Sequence, residues 1–198
     1  MEQEKAAYRV ALIATLRSTA AEDRAAWSDV IRADLLESEL WKKSRTVMVF
    51  AALKYEPNLL PLLVVREGRQ LFFPALEKDR IIPRLVQFAD DLELAQGGIR
   101  EPSAQRCQEL GESEIDLVLV PGLGFAADGT RLGRGRGQFD RFLAGLSAKT
   151  IRCGVCFGCQ LQPSLPSGPH DVRMDWILTE RGFSSLAHHR GRAMNAAP

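Results

Sequence analysis

Four arginines, Arg131, Arg134, Arg136 and Arg141, fall within eleven residues of the segment Arg131-Leu-Gly-Arg-Gly-Arg-Gly-Gln-Phe-Asp-Arg141, and Asp140 is the one acid among them. Guanidinium forks grip phosphate or carboxylate through two parallel hydrogen bonds. Gly133, Gly135 and Gly137 let the backbone turn tightly and come close to a ligand, and a helix starting just beyond them would point its first N–H groups at an anion. The segment therefore suits a polyanion such as a nucleoside triphosphate. It is neither a Walker A loop nor a Gly-x-Gly-x-x-Gly dinucleotide fingerprint. A solvated basic loop and an RGG-like nucleic-acid contact use the same residue types, and spacing alone does not separate the three.

Other residues carry weaker chemical signals. Asp171, in Pro-Ser-Gly-Pro-His170-Asp171-Val, can hold Mg²⁺, which takes one or two carboxylates and completes its shell with water and substrate phosphates; an Asx turn ahead of the next strand is the alternative. Glu56 follows an apolar run, where open α/β sheets bind ligands, although a surface loop carboxylate reads identically. Cys153, Cys156 and Cys159 are spaced like part of an iron–sulfur run, but position 163 is Pro where a fourth ligand belongs. If 151–157 is a strand, Cys153 and Cys156 point to opposite faces, so core thiols are the expectation. His188 and His189 have no partner by spacing.

These residues need elements to position them. Residues 4–19, with Ala7, Val10, Ala11, Ala14 and Leu16 among charges, and residues 21–38, with Trp27, Val30, Ile31 and Leu35, fit amphipathic helices. The continuous apolar run at 46–53 fits a strand covered on both faces, and 70–74, 115–120, 151–157 and 174–178 read as further strands. Asn58 would cap a short helix reaching residue 65, ended by Gly68, and 138–146 reads as a further helix. Alternating helices and strands predict an α/β protein, a three-layer α/β/α sandwich with a mainly parallel sheet. Residues 77–113 and 159–173 read as long irregular loops, and 182–198 as a fraying tail.

The chain has 198 residues, 26 Lys plus Arg against 25 Asp plus Glu, a net charge of +1 and 45% hydrophobic residues. One domain with one core is expected, and a globally basic nucleic-acid or membrane-surface binder is not. The positive charge of the arginine loop is offset by an acidic stretch, 101–116, with five acids against Arg106. No run approaches the length of a membrane span, and the polar N-terminal residues do not read as a secretory signal. A cytoplasmic monomer with reduced thiols is the expectation.

Order and spacing along residues 5–180 resemble the 5-formyltetrahydrofolate cyclo-ligase (methenyltetrahydrofolate synthetase) family. The matching residues are Lys5-x-x-x-Arg9, Glu56, Gly98-Ile-Arg-Glu-Pro102, Asp116-Leu-Val-Leu-Val-Pro-Gly-Leu-Gly-Phe125, the 131–141 loop, Gln160, and Pro169-His-Asp171 leading to Thr179-Glu180. The resemblance implies the same sandwich and an ATP- and Mg²⁺-dependent ligase acting on 5-formyltetrahydrofolate. It implies that ATP contacts Lys5, Arg9, Arg131, Leu132, Gly133, Arg134, Gly135, Arg136, Gly137, Gln138, Phe139 and Arg141. Glu56 and residues 134–138 would meet the folate, Asp140 and Asp171 would bear on Mg²⁺, and Arg134, Arg136 and Asp140 would serve catalysis. One departure stands out: the family pattern has paired tyrosines where this chain has Gln138 and Phe139.

Overall fold

The computed structural model describes residues 1–95, 98–111 and 114–186. Three helices open the chain: α1 (Glu2–Ser18), α2 (Ala21–Glu37) and the short α3 (Glu39–Lys43). Leu12 and Leu16, one turn apart, bury the core side of α1, with Tyr8 packed alongside, while Val10 is exposed. Lys5 and Arg9 also stand one turn apart and line a cleft. The apolar stripe thus runs through Tyr8, Leu12 and Leu16 rather than through Val10.

Seven strands form the main sheet in the order β12-β11-β9-β6-β1-β2-β3. β1 (Thr46–Met48), β2 (Gln70–Glu77), β6 (Leu117–Val120), β9 (Ile151–Val155) and β11 (Trp176–Thr179) are parallel. The edge strands β3 (Arg80–Leu85) and β12 (Gly182–Ser185) are antiparallel to their neighbours. Alternation along the strands divides the core in two. Val47, Leu117, Leu119, Cys153 and Leu178 pack with Leu12, Ile31, Leu35 and Trp41 of α1–α3, whereas Met48, Val118, Val120 and Ile177 pack with Phe142 and Leu143 of α4 (Gln138–Gly145). A strand buried on both faces carries unbroken apolar sequence, which is why these runs show no polar alternation. The fold is an α/β sandwich with helices on both faces of a mostly parallel sheet.

Several expectations need correction. The run at 46–53 is a strand only through Met48; one further bond, Val49 N–H to Phe72 O at 2.8 Å, ends its pairing, and the following residues wall the cleft. The helix expected after Asn58 is one 3-10 turn, Leu60–Leu63, which begins where Leu60 N–H donates to Asn58 Oδ1. Residues 77–113 are not one irregular loop: those described include β3 and the antiparallel ribbon of β4 (Leu92–Leu94) and β5 (Arg100–Pro102). Residues 159–173 contribute β10 (Leu161–Gln162), which joins β7 (Gly124–Ala126) and β8 (Arg131–Leu132) in a small second sheet. The expected tail begins with β12; His188, His189 and the rest of 187–198 lie outside the described residues. Among the described residues, no helix is long and apolar enough to cross a membrane.

Candidate active site

A cleft of about 790 Å³ opens beyond the carboxyl ends of β1 and β6. From β1 the chain goes to β2 on one side, and it later returns to β6 on the other. Such a reversal of strand order leaves a crevice in which open α/β sheets bind ligands. Its lining comes from Phe50, Ala51 and Leu53, from the β2–β3 hairpin, from Ile99 and Glu101, and from residues 131–140.

The loop from Leu132 to α4 is shaped by Gly135 (φ 101°) and Gly137 (φ 64°), left-handed positions that a side chain would strain, and Gly137 is the residue before the first helical turn. Arg9 fastens this loop to α1: its Nε donates to Gly133 O at 3.0 Å, and the guanidinium lies where a Cβ on Gly135 would be 3.3 Å from Cζ. The other Arg9 contact is an ion pair with Glu2 at 2.7 Å.

Most cations in the cleft already face a carboxylate. Lys5 Nζ lies 2.5 Å from Asp171 Oδ2, which also accepts the Gly168 N–H at 2.7 Å. Burial raises the Asp171 carboxyl, but the Lys5 hydrogen bond, the Gly168 N–H and the charges of Lys5 and Arg131 outweigh it and hold the pKa below the ordinary aspartate value. Arg131, its side chain 3% exposed, donates to Asp140 Oδ1 at 2.9 Å and to Pro121 O at 3.3 Å, and its guanidinium lies 5.7 Å from the centre of the Phe139 ring. Arg134 donates to Glu56 Oε1 at 2.9 Å, while the other Glu56 oxygen accepts the Leu53 N–H at 3.0 Å. Among the described residues, Arg136 alone of the loop arginines has no acidic partner. Asp140 and Asp171 each commit one oxygen to a cation, and the second oxygen of each has no hydrogen-bond partner among the described residues.

The family model described as the 5-formyltetrahydrofolate cyclo-ligase family matches residues 1–180. This chain belongs to that family. A 5-formyltetrahydrofolate cyclo-ligase of Mycolicibacterium smegmatis is 31% identical over 192 residues, covering 93% of this chain and 98% of that protein. The mouse 5-formyltetrahydrofolate cyclo-ligase is 26% identical over 189 residues, covering 89% and 93%. The solution structure of Aquifex aeolicus 5,10-methenyltetrahydrofolate synthetase superposes with a TM-score of 0.84 at 27% identity, covering 97% of this chain and 96% of that one.

Against the cyclo-ligase pattern, the structure brings Lys5, Arg9, Glu56, residues 131–140 and Asp171 to one cleft. Arg141 does not line it; its guanidinium reaches Asp79 at the tip of the β2–β3 hairpin, at 2.5 Å. Gln138 lines the cleft, yet its amide Nε2 donates to the same Asp79 at 2.9 Å. Phe139 is half-buried, packed on the α4 side of the core and against Arg131, so its ring is part of the support for that guanidinium. His170 lies outside the lining. Cys153 and Cys156 are buried on opposite sides of the sheet, and burial pushes both thiols up, as core thiols require; Cys159 is only half-buried. Sequence reasoning missed Glu2, Asp79, Glu101 and the apolar walls. Gly98-Ile-Arg-Glu-Pro102 was the signal for Glu101, and the unbroken apolar sequence past Met48 was the signal for Phe50 and Leu53.

Proposed function

We propose that this chain converts 5-formyltetrahydrofolate to 5,10-methenyltetrahydrofolate with consumption of ATP and Mg²⁺. The observation that carries this reading is the make-up of the cleft. Lys5, Arg9 and Arg131 are linked through Asp171, Gly133 and Asp140, and Arg136 lines the same cleft, to which Pro74, Leu76, Ile81 and Ile99 add apolar surface that suits a flat heterocycle. In this reading the cations and the loop N–H groups hold the triphosphate, with the unpaired Arg136 meeting the charge that develops during transfer. The γ-phosphoryl group passes to the formyl oxygen and ADP leaves. The neighbouring folate nitrogen attacks the activated carbon, and phosphate departs with the former formyl oxygen.

Asp140 and Asp171 fit Mg²⁺, because each keeps an uncommitted oxygen and substrate phosphates can supply the remaining ligands. When bound, the ion neutralises phosphate charge. Arg131 orients Asp140 through their hydrogen bond, and Lys5 orients Asp171. Glu56, whose two oxygens are held by Leu53 N–H and Arg134, lines the cleft and would meet the pterin side of the folate together with Arg134.

The test is the rise in near-ultraviolet absorbance when purified protein meets 5-formyltetrahydrofolate and MgATP. Absence of conversion at any reasonable protein concentration sinks the proposal. A polyanion- or RNA-binding role predicts instead retention on RNA with a steep salt dependence and weak, unspecific ATP binding.

A further inference from the structure

The β2–β3 hairpin closes through Lys78 and Asp79, both left-handed at φ 47° and 67°, between the paired residues Glu77 and Arg80. A two-residue turn of this kind is normally made with Asn-Gly or Asp-Gly, because two positive φ values disfavour side chains. Here the second position carries an aspartate whose side chain is fully used. Asp79 Oδ1 accepts from Gln138 Nε2 at 2.9 Å, and Oδ2 and the backbone oxygen both accept from Arg141 Nη2, at 2.5 and 3.2 Å. Both partners lie in the first turn or so of α4, directly after the arginine–glycine loop.

The hairpin needs such a tie. β2 pairs with β1 only through Phe72, and β3 is an edge strand, so the outer half of the hairpin projects beyond the sheet. That outer half carries Pro74, Ala75, Leu76 and Ile81 of the cleft wall. It is held by Ile81 packing in the Phe142 cluster, by Leu76 N–H donating to Glu101 Oε2 at 2.9 Å, and by Asp79. Ile81 reaches α4 through apolar packing on Phe142 and Leu143, and Asp79 adds hydrogen bonds from the tip itself to the start of that helix.

We propose that Asp79 is a positioning residue, which latches the β2–β3 hairpin to Gln138 and Arg141 and so sets the width of the apolar part of the cleft where the substrate's ring system sits. Gln138 then acts on the substrate through Asp79, which explains how the chain works with an amide where its family has a tyrosine. The inference rests on the proposed folate reaction. Asp79 itself contacts no metal-facing carboxylate, and its partner Arg141 keeps a separate bond to the loop, from Nη1 to Arg136 O at 3.2 Å, so loss of Asp79 weakens folate binding more than nucleotide binding.

Asp79→Gly tests this, since glycine relaxes the left-handed turn while removing both side-chain contacts. The expected result is a KM for 5-formyltetrahydrofolate raised about five-fold, which is about 1 kcal/mol at 1.4 kcal/mol per decade. The kcat and the KM for MgATP should stay within about two-fold of the wild type. In ligand-free protein, amide hydrogen exchange of residues 74–82 should accelerate. Combined with Gln138→Ala, the two effects should be less than additive, as for residues in one network. An unchanged folate KM overturns the positioning role, and unchanged exchange overturns the latch itself. If Asp79→Gly folds poorly, Asp79→Asn, which keeps an oxygen for Gln138 and loses both the charge and the side-chain acceptor for Arg141, should raise the folate KM about two-fold, and no rise there overturns the role. If the wild type converts no folate, the proposed reaction fails separately, and faster or unchanged exchange alone decides for or against the latch.

Discussion

Replacing Asp140 by asparagine separates two jobs that this carboxylate performs. One is structural: Arg131 has a 3% exposed side chain, and Asp140, 19% exposed, is its ionic partner. Removing one member of a buried pair outright costs about 3–5 kcal/mol, because the remaining charge is stranded. Asparagine keeps an oxygen where Oδ1 accepts from Arg131 and loses only the charge assistance, the difference between a hydrogen bond worth about 1.5–3 kcal/mol and one worth about 1 kcal/mol. The expected loss is therefore about 1–2 kcal/mol, or roughly 2–8 °C in Tm for a chain of this size. The second job is electrostatic, facing Mg²⁺ and the transferring phosphoryl group, where removal of one aligned group typically costs about 10²–10³ in kcat. Thermal denaturation followed by circular dichroism measures the first effect, and the absorbance assay for methenyltetrahydrofolate measures the second. Asp140→Asn should melt slightly early and turn over at least a hundred-fold more slowly, with a higher Mg²⁺ requirement. Near-wild-type turnover with an unchanged Mg²⁺ dependence would refute the assignment, and a melting loss as large as that of Asp140→Ala would refute the view that the oxygen alone satisfies Arg131.

Two further predictions concern packing and acid stability. Gly154→Ala places a Cβ 2.4 Å from Cε1 of the fully buried Phe125 ring, whose other side meets Gly122 in the same way, at 2.7 Å. The ring has nowhere to go, so overpacking should cost about 1–3 kcal/mol, and a melting temperature equal to the wild type's would contradict the packing argument. For Asp171, the folded pKa lies below the ordinary value of 3.8, so the stabilisation it contributes is complete above that value and is lost as pH falls through the lower folded value. Lys5→Met should consequently lower the urea midpoint at neutral pH, and the gap from the wild type should close below pH 3.8; a gap that persists unchanged into strong acid would show that Lys5 acts by packing and not by charge.

Local composition was enough for the elements whose residues speak for themselves. The helices at the N-terminus, the apolar strand cores at 115–120 and 151–157, and the glycine-rich turn into α4 follow from periodicity, burial on two faces and backbone freedom. The β3–β5 region was illegible because Pro74 and Pro83 sit opposite each other in the hairpin, and because β4 and β5 are three residues each, too short for a period to register. Family resemblance picked out Lys5, Glu56, Asp140 and Asp171, but not what each of them touches.

The residue types of the site and their order along the chain were set by the sequence alone: an arginine–glycine turn ahead of a helix, carboxylates after strands, and two cations one helical turn apart. Their pairing was decided only by the tertiary structure. Lys5 meets Asp171 across 166 positions, Arg134 meets Glu56 across 78, and Arg141 meets Asp79 across 62. Charge partners so far apart are chosen by which strand ends the sheet brings together, and nothing in the neighbouring residues encodes that choice. For this reason the sequence offers Arg141 and Gln138 as ligand groups, and only the fold shows that both also bond Asp79 of the β2–β3 hairpin.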